Sequence, residues 1–95
     1  MITVNNIPCM LSRAALYEQL AEECSELAHA ALKMARIFRD ENPTPRNSYD
    51  VLHLLEEEFT DLNLVADVLG LKIDDDIYKF KLERWYRRLK EHNNV

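Results

Sequence analysis

Glycine and proline are scarce in this chain, which has one glycine and three prolines among 95 residues. Because these residues interrupt helices and form tight turns, their scarcity favours a few long helices over a sheet with many turns. The length leaves room for one domain, residues 1–95. A chain this small buries only about 60 to 70% of its unfolded surface, so we expect a homodimer or homotetramer to complete the core.

Basic residues are also in deficit, with 12 Lys and Arg against 17 Asp and Glu and a net charge of −5. Nucleic-acid polymers are therefore not expected as partners, since phosphate neutralisation needs a basic surface. No apolar run approaches the roughly 18 residues of a membrane span, and the first residues do not resemble a signal peptide. We expect a cytoplasmic protein whose two cysteines, Cys9 and Cys24, are free thiols, with Cys24 packed in the core.

Helix signals cover most of the sequence. Ser12 is the predicted N-cap of a first helix that runs to about Arg39, and residues 40–47, with two prolines, form a loop. The second predicted helix extends from Ser48 to Leu69, and the only glycine follows it as a C-cap. The sequence thus predicts an all-α bundle of three main helices, with room for a short N-terminal helix. Homo-oligomerisation would complete a four-helix-like core.

The third predicted helix begins with the aspartates at positions 74–76, where negative charge suits the positive end of the helix dipole. Trp85 belongs to its apolar row and is expected in the core or at an oligomer interface. The row repeats at helical spacing. Its members are Tyr78, Leu82, Trp85 and Leu89.

The second predicted helix carries a carboxylate in its apolar stripe. Leu55, Leu62 and Val65 recur at helical spacing, and Glu58 occupies the position between them where an apolar residue is expected. Asp61, one turn on, lies at the edge of the same stripe. Two acids of this helix are therefore predicted to face inward.

The first helix has a matching pair, because Glu23 and Glu26 lie on a flank of its apolar stripe. Each helix thus directs carboxylates at positions i and i+3 toward the shared interface. Buried carboxylates without partners cost several kcal/mol each, so a cation is expected among them. Hard oxygen ligands of this kind suit Mg²⁺, with Mn²⁺ as a substitute, and point to phosphoryl chemistry.

The residues EECSE at 22–26 and EFTD at 58–61 resemble the EExxE and ExxD motifs of the MazG-like all-alpha nucleotide pyrophosphohydrolases. The likeness extends from about Leu16 to Arg88 and includes the order of helices. It implies hydrolysis of a nucleoside triphosphate, ribo or deoxyribo, to a monophosphate and pyrophosphate.

The resemblance also implies roles for individual acids. Glu23, Glu26, Glu58 and Asp61 would ligate magnesium, and Glu22 would support the site from its rim. We expect Glu23 or Glu26 to act as the general base, so that Glu22, Glu23 and Glu26 form the catalytic group.

Basic residues of the third helix are candidates for holding the substrate phosphates as charge-assisted donors. A solvated basic face is the alternative role for these residues. Lys33 and Arg36 are further candidates on the first helix. The candidates on the third helix are Lys81, Arg84 and Arg88.

Two other functions fit parts of the pattern. Glu26 and His29 have the Glu-x-x-His spacing of di-iron carboxylate bundles, but the second helix offers Asp61 in place of the second His. A non-catalytic helical regulatory or assembly module would instead bury its acidic stripe against basic groups of a partner and bind no metal.

Overall fold

The computed structural model describes residues 1–41 and 47–93. A short 3-10 helix at Val4–Asn6 precedes three α-helices, and the all-α prediction is confirmed, including the short N-terminal helix. The loop predicted at 40–47 lies mostly outside the described residues. The three α-helices are α1 (Arg13–Phe38), α2 (Ser48–Leu69) and α3 (Asp75–Asn93).

Side-chain caps fix where α1 and α2 begin. The backbone N–H of Ala15 donates to Ser12 Oγ at 3.0 Å, as predicted for this N-cap. At α2 the backbone N–H of Tyr49 donates to Asn47 Oδ1 at 2.8 Å. Each cap satisfies a backbone donor that has no partner within its helix.

Gly70 ends α2 in the left-handed conformation, with φ 74° and ψ 18°. The Leu71 N–H then reaches back to the Ala66 carbonyl at 2.9 Å, which closes the last turn. Three residues later Asp74 caps α3, since its Oδ1 accepts from the N–H groups of Asp76 and Ile77 at 3.0 and 3.1 Å. A short linker therefore separates two firmly terminated helices.

α1 and α2 pack as an antiparallel hairpin. Leu16, near the start of α1, shares a cavity with Val65 and Val68 near the end of α2. Ala30, in the second half of α1, borders another cavity with Leu54 from the first half of α2. The N-terminal segment covers one end of the hairpin and contributes side chains to the first of these cavities.

The buried face of α1 differs from the predicted stripe. Leu16, Glu23 and Ala30, seven residues apart, are its buried positions, so the contact face is turned by about 50° toward the carboxylate flank. The prediction that Cys24 packs in the core is wrong, because its side chain is exposed. α2 packs against this turned face of α1 and leaves the other edge of the apolar stripe uncovered.

α3 stands clear of the hairpin. Among the residues that the structure describes, no Cα of α3 comes within 8 Å of α1 or α2, and α3 has no buried residue. Trp85 was expected in the core or at an oligomer interface; it is not in the core of a single chain, where its side chain is 65% exposed, and the interface stays a prediction. Within 1–41 and 47–93 no helix is long and apolar enough to cross a bilayer.

Candidate metal centre

Three carboxylates from the two helices converge at the middle of the hairpin. Glu23 and Glu26 come from α1 and Glu58 from α2, and one oxygen of each lies within 4.8 Å of the others. The i, i+3 spacing places the first two on one face of α1, and the antiparallel packing brings the third opposite them. The structure therefore brings together three of the four acids expected to bind magnesium.

Glu23 is the buried member of this group, with 9% of its surface exposed. Its Oε1 accepts a hydrogen bond from Gln19 Nε2 at 2.7 Å, one turn earlier in α1. Its Oε2 is buried and has no hydrogen-bond partner among the described residues, and the same holds for Glu58 Oε2. Buried carboxylate oxygens without partners are costly, so a cation bound between these two atoms would be stabilising.

The carboxylates also repel one another, and Glu26 shows the effect. Its pKa is raised from the ordinary 4.5, chiefly because its carboxyl shares a hydrogen bond with Glu58 and also because the charge of Glu23 lies nearby. Like charges at this separation favour uptake of a proton over ionisation. A divalent cation would remove the cause of the shift by neutralising the group.

The donor set fits a hard divalent cation. Glu23, Glu26 and Glu58 supply only carboxylate oxygens, which suit Mg²⁺ and Mn²⁺ better than the softer metals that prefer His and Cys. Di-iron bundles use two Glu-x-x-His pairs, and the close group contains no histidine. The magnesium prediction is thus compatible with the geometry.

The other two predicted acids lie beside this group. Asp61 is half-buried on α2, one turn beyond Glu58 toward the α2 C-terminus, and is not part of the close set. Glu22 is exposed on α1, and its charge still contributes to the raised pKa of Glu26. Glu22 therefore influences the site through its charge, and neither residue belongs to its centre.

The basic residues expected to hold phosphates divide between two places. Lys33, on α1, borders a cavity of about 280 Å³ together with Glu26 and Glu58. Arg36 lines a smaller cavity further along α1 that also includes Lys33. By contrast, Lys81, Arg84 and Arg88 belong to α3, which does not approach the hairpin in a single chain.

His29 borders the same cavity as the carboxylates, although it is exposed. His29 and Lys33 follow Glu26 by three and seven residues in the sequence. That spacing places all three on one face of α1 and is the signal that would have grouped them.

Comparison of the chain with protein-family models, with curated proteins and with solved structures found no match.

Proposed function

We propose that the protein is a magnesium-dependent nucleoside triphosphate pyrophosphohydrolase, which releases a nucleoside monophosphate and pyrophosphate. The observation that supports this most directly is the buried Oε2 of Glu23, which has no hydrogen-bond partner in the described part of the chain and lies beside two further carboxylates. An apolar side chain at this position would avoid the desolvation penalty. The EExxE and ExxD resemblance supports the choice of a triphosphate as substrate.

Glu23, Glu26 and Glu58 would hold the cation, and Asp61, one turn further along α2, is a candidate for a fourth ligand. A bound Mg²⁺ would neutralise phosphate oxygens and lower the pKa of an attacking water. The water oxygen attacks the α-phosphorus, the bond from that phosphorus to the bridging oxygen breaks, and pyrophosphate leaves with that oxygen. Glu26 is the exposed member of the group and is therefore the carboxylate best placed to take the proton of the water.

Lys33 is the basic residue best placed to contact the leaving pyrophosphate. It lines the cavity into which the carboxylates open, whereas the α3 residues proposed for this role lie elsewhere. A charged donor at the mouth of the site offsets the negative charge that develops on the leaving group. We therefore propose that a basic residue of α1, and not one of α3, contacts the phosphates of the substrate.

Product analysis tests the proposed reaction. The protein is incubated with each common ribo- and deoxyribonucleoside triphosphate in magnesium, in manganese and in chelator, and the products are separated by ion exchange. We expect metal-dependent release of monophosphate and pyrophosphate in equal amounts. Release of single phosphates, or turnover that persists in chelator, would contradict the proposal.

A matched pair of variants links the reaction to the site. Glu58→Gln removes a ligand from the centre, and Glu56→Gln makes the same change at an exposed position of the same helix. Calorimetry with Mn²⁺ should show at least about a tenfold loss of affinity for the first variant, comparable to the loss of a ligand or its support, and no change for the second. Equal affinities would remove the basis for a metal centre at Glu58.

The non-catalytic helical module remains the second candidate, because α3 and one side of the hairpin expose large apolar side chains that suit a partner. It predicts no turnover with any triphosphate and no calorimetric signal with Mg²⁺ or Mn²⁺. Both results together would favour this candidate over the enzyme.

A further inference from the structure

α3 presents an apolar face that no residue of 1–41 or 47–93 covers. Trp85 and the other large apolar residues of its row each expose roughly half or more of their surface. None of the 19 residues of α3 is buried. Single exposed apolar side chains are ordinary on a protein surface, but a continuous row of large ones along a helix indicates a contact surface. The row comprises Tyr78, Leu82, Trp85 and Leu89.

The exposed area of the chain is too large for a finished monomer. Its accessible surface is 8323 Å², whereas a compact monomer of this mass exposes about 5,700 Å². The radius of gyration, 17.6 Å, likewise exceeds the roughly 12 Å of a compact domain of this length. The excess of about 2,600 Å² is more than the roughly 800 Å² that each partner buries in a standard stable interface.

The hairpin has an uncovered apolar side of its own. Leu52 and Phe59 of α2 are exposed, as are Cys24 and Phe38 of α1. On both helices these residues are rotated from the buried face in the same sense, by roughly 60 to 120°. In an antiparallel pair, equal rotations lead to the same side, so these residues form one open face. Glu26 is rotated in the opposite sense, so the carboxylate site opens on the other side.

Charge decides which surfaces can meet. α2 has no Lys or Arg, and two of its acidic residues, Glu56 and Asp67, border the open face, within about 70° of its centre. In α3, residues 78–90 contain six basic residues and one acidic residue. Pairing two α3 helices would bring like positive charges together, and pairing two α2 surfaces would bring like negative charges together. Only α3 against the hairpin joins opposite charges, and such complementarity fixes the partner and the register of an interface.

We propose that the protein is a homodimer in which the α3 apolar row of each copy packs on the open face of the partner's α1–α2 hairpin. The interface is a symmetric exchange of helices, so each copy supplies one α3 and receives one. This interface lies on the opposite side of the hairpin from the carboxylate site. Formation of the dimer is therefore independent of the proposed hydrolysis.

Substitutions on the two sides of α3 test the helix. Trp85→Asp places a charge in the apolar row, and Phe80→Asp makes the same change at a position about 140° around the helix, where the side chain is 57% exposed. Sedimentation velocity over a range of protein concentrations should show a dimer for the wild type and for Phe80→Asp. The Trp85→Asp variant should be monomeric, with unchanged helical circular dichroism.

Substitutions on α2 test the receiving surface. Phe59→Asp should also yield a monomer, whereas Thr60→Asp, on the outer side of α2, should remain dimeric. Mixing the Trp85→Asp and Phe59→Asp chains should restore association, because an intact α3 from one meets an intact hairpin from the other. Resonance energy transfer between separately labelled chains measures this recovery.

Four results would overturn the proposal. They are a monomeric wild type at all concentrations, an assembly that survives Trp85→Asp, an assembly that survives Phe59→Asp, and a mixture that fails to associate. A monomeric wild type would instead mean that α3 folds back on its own hairpin or remains free. All these measurements are made without nucleotide, so a failure of the proposed hydrolysis would not affect them.

Discussion

Glu58 shows at the level of a single residue how a site is placed in a small core. Its Oε2 is buried without a hydrogen-bond partner among the described residues, at a position in the apolar stripe of α2. Replacing such a carboxylate by an apolar side chain removes the desolvation penalty and the repulsion from its neighbours. The buried oxygen therefore opposes folding, and the proposed cation would offset its cost.

Glu58→Leu should stabilise the protein in chelator and abolish cation binding. We expect the free energy of unfolding to rise by about 1 to 4 kcal/mol, in line with replacements of buried charges by apolar residues. Urea unfolding in chelator and calorimetry with Mn²⁺ measure the two effects. Glu56→Leu, at an exposed position, serves as the control and should leave cation binding intact. A Glu58→Leu protein that is less stable in chelator would show that Glu58 has a structural partner.

The shared hydrogen bond between Glu26 and Glu58 predicts a dependence of stability on pH. Because the folded-state pKa of Glu26 is raised above 4.5, this group stabilises the fold below its unfolded pKa and loses that contribution as the pH rises through the raised value. In chelator, the wild type should therefore lose stability relative to Glu58→Gln over that range. Denaturant unfolding at successive pH values measures the difference, and a constant difference would contradict the assigned cause.

Periodicity alone located Glu23 and Glu58 on inward positions, and both predictions are confirmed by their burial or half-burial. It failed for Cys24, which fits the stripe equally well and is exposed. The stripe on α1 is wider than the surface that α2 covers, and the pattern does not reveal which edge the partner helix takes. The sequence therefore identifies both edges of the α1 stripe, the carboxylate edge and the Cys24 edge. It does not indicate that α2 packs against the carboxylate edge.

At the scale of the helices, α1 carries two of the three carboxylates, Glu23 and Glu26, and also Lys33, the basic residue that borders their cavity. Lys33→Met should raise the KM for a triphosphate by roughly ten- to a hundredfold, the equivalent of losing one charge-assisted hydrogen bond. Arg84→Met, on α3, should leave KM within about twofold, because α3 does not approach the cavity. Steady-state kinetics on both variants distinguish the two sources of phosphate contact. The reverse order of effects would return this role to α3.

The end of α2 depends on Gly70, whose φ of 74° strains any residue with a Cβ. Space is not limiting, since a Cβ added there meets no atom within 4 Å. Gly70→Ala should therefore cost about 1 kcal/mol through backbone strain alone, and Gly70→Asn should cost less, because Asn tolerates this conformation. Thermal unfolding of both variants tests the order, and equal losses would contradict strain as the cause.

Helix ends were predictable because each is set by a local signal. Ser12 caps the start of α1 and Gly70 caps the end of α2, as predicted, because capping involves backbone groups only a few residues away. The position of α3 was not predictable. Its apolar row indicates that the helix packs against another surface, but it does not identify that surface. That choice depends on surfaces from distant parts of the chain or from another chain.

For the whole molecule, the small core determines how stability is achieved. Leu16, Ala30 and Val51 are the buried apolar residues of the described chain, and a core of this size gives little stability by itself. Packing α3 against a second copy would bury an area comparable to that of a stable dimer interface. Folding and association should then be coupled, as in many small helical dimers.

This coupling predicts that the melting temperature rises with protein concentration. Each tenfold increase in concentration favours the dimer by about 1.4 kcal/mol, since association of two chains follows mass action. Thermal unfolding followed by circular dichroism over a hundredfold range of concentration should show the increase for the wild type and for Phe80→Asp. Trp85→Asp should melt at a lower temperature that is independent of concentration. A wild-type melting temperature that does not change with concentration would mean that the hairpin alone determines stability, and that α3 adds nothing to it.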